Sequence, residues 1–137
     1  GIDIVETRST RPRNFTSLIS VKLHTNEGEH WVEGAIFEQA GPRLVLLDGV
    51  TVEAPLEGSL VVIRNDDRPG VIGEVGTILG RHGINIATLA LGRGTDGAVS
   101  IYRIDRVPDV KNAVTDTVLS DLDGIDAVTS AGLVVLP

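Results

Sequence analysis

Three observations predict an α+β chain in two parts, a small hairpin-rich region followed by a layer of helices on a sheet. Over the first 57 residues, short β-branched and aliphatic runs alternate with turn signals and show no helical spacing. From Ser59 to Leu136 the pattern runs strand, helix, strand, strand, helix, strand. A composition shift at Ala54 to Gly58 separates the two, giving expected domains of 1–57 and 58–137.

In the first part, Thr16 to Thr25 reads as a strand, Asn26-Glu27-Gly28 as a turn and Glu29 to Glu38 as the returning strand. After Gln39-Ala40-Gly41-Pro42, Arg43 to Leu47 and Val50 to Glu53 make a second hairpin about Asp48-Gly49, a pair suited to positive φ. Residues 1 to 14 show weaker periodicity and read as an extended lead-in. So small a set of hairpins buries little surface, and it is expected to pack on something else.

In the second part, Ser59 to Arg64 is an apolar strand, Asn65 to Gly70 a turn, and Val71 to His82 a helix buried through Val71, Val75, Ile78 and Leu79. Ile84 to Leu91 is a second strand, Gly92 to Gly97 a glycine-rich turn and Val99 to Arg106 a third strand. Asp109 to Leu122 is a second helix and Ala127 to Leu136 a fourth strand. With right-handed crossovers, βαββαβ folds into a ferredoxin-like sandwich, one antiparallel sheet with both helices on one face.

Nineteen acidic against twelve basic residues, with two Phe, one Tyr and one Trp, lack the charge and stacking surface of a nucleic-acid binder. No apolar run is long enough to span a membrane, and neither a membrane span nor a signal peptide is expected. Zero Cys removes disulfides and thiolate chemistry and leans toward the cytoplasm. With no Met anywhere and Gly1 first, the chain is expected to be a piece of something longer.

The most informative stretch is Asn65-Asp-Asp-Arg-Pro-Gly-Val-Ile-Gly, followed by Gly83-Ile-Asn-Ile. Pro69 suits the first turn of a helix, which places the helix start just after Asp67. The N–H groups and dipole opening that helix favour a carboxylate or phosphate. Asp67 beside them can pair with an ammonium, and the Asn85 amide can donate and accept. Together they suit a zwitterionic amino acid. The alternative is that Asp67 is an N-cap and Asn85 a turn residue.

Residues 58 to 137 resemble the ACT domain, a small amino-acid-binding regulatory module. NDDRPGVIG and GINIATLALGR are similar to the C-terminal ACT domain of the long-form bacterial D-3-phosphoglycerate dehydrogenase family. Residues 1 to 57, through Glu6-Thr-Arg-Ser-Thr, Gly34-Ala-Ile-Phe and Pro42-Arg-Leu-Val-Leu-Leu-Asp-Gly, resemble the latter half of that family's intervening domain. The resemblance implies a non-catalytic regulatory region of an NAD-dependent parent, binding L-serine between two side-by-side ACT domains of a homo-oligomer. It carries serine contacts to Asp67, Asn85 and Asn65, with Arg68, Pro69, Gly70 and Val71 forming the helix opening. It also implies an anion site with Arg43 and Arg103, though a further basic position falls near Ala54 to Glu57, where no Lys or Arg stands. A ligand-independent dimerisation module and an accessory region of an L-serine dehydratase are the alternatives.

Other features carry weaker chemistry. Gly70, Gly73, Gly76 and Gly80 form a bare stripe whose expected use is close helix-on-sheet packing, and they lack the dinucleotide fingerprint. His24 and His30 would face each other if residue 25 pairs with 29, but two imidazoles fall short of a zinc site, so no metal is expected. Arg8, Arg11 and Arg13 could line an anion pocket or remain solvated. No nucleophile stands out: there is no G-x-S-x-G elbow and no supported Ser-His-Asp set. Arg68 lacks the glycine-flanked loop of an acylphosphatase.

Overall fold

A computed structural model describes residues 2–9, 17–105 and 113–137. The chain divides into two compact units, Gly1–Leu56 and Glu57–Pro137.

The first unit is a five-stranded antiparallel meander, each strand pairing with the next: β1 (Asp3–Ser9), β2 (Ser17–Thr25), β3 (Gly28–Phe37), β4 (Gly41–Leu47) and β5 (Val50–Pro55). Within the expected extended lead-in, Asp3–Ser9 form β1, in continuous register with β2 from Asp3↔His24 to Ser9↔Leu18. Its Ile4, Val5 and Glu6 are exposed, so backbone pairing rather than burial holds it, and no apolar period marks it in the sequence. Arg11 and Arg13 lie outside the described residues.

The β2–β3 turn is one residue shorter than expected. Thr25 pairs with Gly28, leaving Asn26-Glu27 as a two-residue loop in which Thr25 Oγ1 accepts from the Glu27 N–H at 3.2 Å. That single step of register separates the histidines: His24 opposes Glu29 while His30 opposes Leu23, so the two rings stand on opposite faces. His24 Nδ1 lies 3.3 Å from Glu29, and His30 Nδ1 lies 3.2 Å from Asp48. On the His24 face, Lys22 sits 4.7 Å above the Trp31 ring, whose Nε1 donates to Ser20 Oγ at 2.6 Å.

The second unit has the order β6 (Ser59–Asn65), α1 (Val71–Arg81), β7 (Ile86–Gly94), β8 (Gly97–Ile104), α2 (Asp116–Asp123) and β9 (Val128–Val135). Its antiparallel sheet runs β7-β8-β6-β9, the ferredoxin-like arrangement. Val61 and Ile63 of β6 and Tyr102 and Ile104 of β8 meet Val71, Val75, Ile78 and Leu79 of α1 and Val118 and Leu122 of α2. Both helices therefore cover one face.

Two boundaries differ from the expected ones in ways that matter. The strand expected to end at Leu91 continues to Gly94, and Thr95-Asp96 alone turn the chain, because Gly92, Arg93 and Gly94 extend the pairing with β8. The helix expected as one run from Asp109 to Leu122 is interrupted at Thr115, which is extended and whose Oγ1 accepts from the Val118 N–H at 3.4 Å, so that α2 starts at Asp116. Residues 109–112 lie outside the described ones. Among the described residues, no helix is long and apolar enough to cross a membrane.

Candidate functional site

Where β6 ends, the chain turns through Asp66 to Gly70 before α1 begins. Asp66 donates its N–H to the Ala127 carbonyl at 2.8 Å, and the Arg68 N–H returns to the Asp66 carbonyl at 3.0 Å. The residue capping α1 is Gly70, at φ 91, and not Asp67. Pro69 accordingly sits one position outside the helix, because the left-handed turn that starts α1 falls on the residue without a Cβ. Gly70 offers no side-chain cap, so the first N–H groups of α1 have no side-chain acceptor among the described residues.

A pocket of about 440 Å³ opens at this turn. Six of the seven expected effector residues line it: Asn65, Asp67, Arg68, Pro69, Gly70 and Val71. Asn65 is 7% exposed. Its Nδ2 donates to the Asp66 carbonyl at 2.7 Å, while its buried Oδ1 has no hydrogen-bond partner among the described residues. An acceptor left so is costly unless something fills its place. Arg68 leans away to Asp126, 2.5 Å from its carboxylate, and that hydrogen bond is the main reason its pKa is raised above the ordinary value.

The pocket also contains Leu91 and Arg93, which sequence reasoning assigned to the end of a strand and to a loop. Their signal was the alternation Leu89, Leu91, Arg93 on one face of a longer strand. Arg93 pairs with Ala98, and Ala98 pairs in turn with Asn65. Its Nε lies 3.3 Å from Asp67 Oδ1.

Asn85 is not among the residues lining this pocket. It precedes β7, donating through Nδ2 to Asp105 at 2.6 Å. Ile86 is level with Ile104 and Ser59, whereas Arg93 is level with Ala98 and Asn65. Asn85 and Asp67 therefore lie toward opposite ends of the sheet, on the order of 20 Å apart at about 3.3 Å per strand residue. Each of the expected anion-binding arginines has an acid in its own unit. Arg43 Nε is 3.1 Å from Glu53, an ion pair without hydrogen-bond alignment, and Arg103 is 3.9 Å from Glu57.

The glycine stripe is a correction. A Cβ built at Gly73, Gly76 or Gly80 meets nothing within 4 Å among the described residues, so these glycines face open space and not the sheet. Ile72 beside them, and Leu89 and Leu91 of β7, are exposed apolar residues.

A small ferredoxin-like α+β module with a pocket at the opening of its first helix is the class that this sheet and site define. Residues 59–127 match the ACT domain and residues 1–48 the D-3-phosphoglycerate dehydrogenase intervening domain. The chain belongs to the ACT-domain family. It is 32% identical to the D-3-phosphoglycerate dehydrogenase of Bacillus subtilis, over 100% of this chain and 25% of that enzyme. The Archaeoglobus fulgidus enzyme of the same name is 31% identical over 99% of this chain and 25% of its own length. The Methanocaldococcus jannaschii enzyme is 33% identical over 77% and 20% respectively. The chain thus spans a quarter or less of these relatives.

Proposed function

We propose that this chain is the amino-acid-sensing region of an NAD-dependent D-3-phosphoglycerate dehydrogenase of the cytoplasm, and that it binds L-serine as feedback effector between two ACT units. NAD and the catalytic groups belong, on this reading, to other parts of the parent, and residues 58–137 do the sensing while 1–57 complete an intervening domain.

One observation carries the reading. An uncapped helix opening and the Asp67 carboxylate line a single pocket together with Asn65, whose buried Oδ1 has no hydrogen-bond partner among the described residues. The N–H groups suit the α-carboxylate of an amino acid, and the Asp67 carboxylate suits its ammonium.

The distance to Asn85 has a geometric answer. β7 is one of the two edge strands of the described sheet. Antiparallel pairing of β7 with its own copy, centred between Leu89 and Ala90, would set Asn85 of the partner subunit across from Gly94, beside the pocket. A ligand gripped by both subunits binds the paired form more tightly and so shifts the parent's equilibrium toward it.

Calorimetry and sedimentation with L-serine test this. Serine should bind and favour the dimer, and Asp67→Ala and Asn85→Ala should each weaken binding at least tenfold. Unchanged binding to Asp67→Ala would overturn the site. The exposed Ile72, Leu89 and Leu91 favour a second reading, a ligand-independent dimerisation module. It predicts the same dimer with or without serine and no thermal shift with any amino acid.

A further inference from the structure

Two opposite charges stand at the mouth of this pocket and neutralise each other. Asp67 is 42% exposed at its side chain and Arg93 70%, and their contact is a single Nε–Oδ1 approach of 3.3 Å. A pair so exposed is weak, and most of the five N–H donors of the guanidinium are left for another acceptor. Arg93 is aligned strand by strand with Asn65 through Ala98, so it leans over the helix opening from the side opposite the turn.

We propose that Arg93 is a specificity-determining residue of the pocket, a latch on Asp67 when no ligand is bound and a clamp on the ligand's carboxylate once Asp67 is taken. The proposal rests on the effector-site reading and adds a residue and a selection rule to it. An arriving α-amino acid brings an ammonium that competes for Asp67. Its carboxylate meets the released guanidinium, which can grip it through two parallel N–H···O bonds while the helix opening supplies further donors. The zwitterion thus exchanges one ion pair for two. An amine without a carboxylate must displace Arg93 and returns nothing to it. An acid without an ammonium captures Arg93 and leaves Asp67 without its cation. The site selects ligands carrying both charges on adjacent groups.

Calorimetry on the whole chain with L-serine, serinamide and glycerate, at two salt concentrations, tests the rule. The wild type should bind serine at least tenfold more tightly than either single-charge analogue. Arg93→Gln should weaken serine about tenfold or more while leaving serinamide unchanged or slightly tighter, because no latch remains to displace. Arg93→Lys keeps the charge and the stem but not the fork, and should fall between the two. It keeps the test valid if Arg93→Gln folds poorly. If the wild type binds none of the three, the effector-site reading itself fails. If the wild type binds serine but both variants match it in affinity and in the serine-to-serinamide ratio, the role of Arg93 is overturned and the site survives.

Discussion

Replacing Gly73, Gly76 and Gly80 together by Ala should strengthen the folded second unit and weaken its self-association. α1 is 11 residues long, and each interior glycine costs about 0.5–1 kcal/mol relative to Ala through backbone entropy. Nothing within 4 Å opposes the added methyls among the described residues. Gly76 should contribute in full, and Gly73 and Gly80 less because they lie in the end turns, for a gain of roughly 1.5–2 kcal/mol. With a urea slope near 2 kcal/mol/M, that moves the midpoint up by about 1 M. Far-UV circular dichroism follows the right unit, since both described helices lie in it. In a sedimentation series the same variant should dimerise more weakly, because three methyls stand on the face where Ile72 is exposed. A lower midpoint at dilution would show that this side of α1 packs within the chain. An unchanged dimerisation constant would remove the glycine face from the contact.

Two other substitutions probe the frame around the pocket. Gly97→Ala should destabilise the second unit by about 2 kcal/mol or more, because its Cβ would stand 2.7 Å from the Asn65 carbonyl oxygen at φ +137; a midpoint within error of wild type would contradict this, and serine affinity should fall with it. Burial raises the pKa of Tyr102, with the nearby Ser100 hydroxyl countering part of the shift although neither oxygen has a well-aligned partner among the described residues. Above pH ~10 the unfolded chain loses the phenolic proton that the folded chain keeps, so stability falls as pH rises, and Tyr102→Phe should abolish that alkaline decline in urea titrations while leaving neutral stability close to wild type.

The helical elements with strong periods were legible because burial imposes them. Val71, Val75, Ile78 and Leu79 mark α1 in the sequence and form its buried face. What failed had no burial to announce it. β1 pairs through its backbone with exposed side chains, and the end of β7 alternates glycines with Arg93, so both read as loop. Pro69 was a fair sign of a helix start, yet a neighbouring glycine able to take φ 91 put the cap at Gly70, three positions after Asp67. Most of the pocket followed from one contiguous segment, whereas Arg93 reaches it across two strand pairings, a relation that no local spacing reveals.

Asp67 and Asn85 at opposite ends of one sheet bear on regulation as well as on assignment. On the proposed reading a lone ACT unit carries two incomplete sites, one with the acid and one with the amide, and neither holds serine fully. Pairing two units completes both sites at once. By linkage, whatever factor serine adds to dimer affinity, dimerisation must add to serine affinity. Serine binding should therefore tighten as protein concentration rises through the dimerisation constant. A site contained in one subunit would show a single affinity at every dilution.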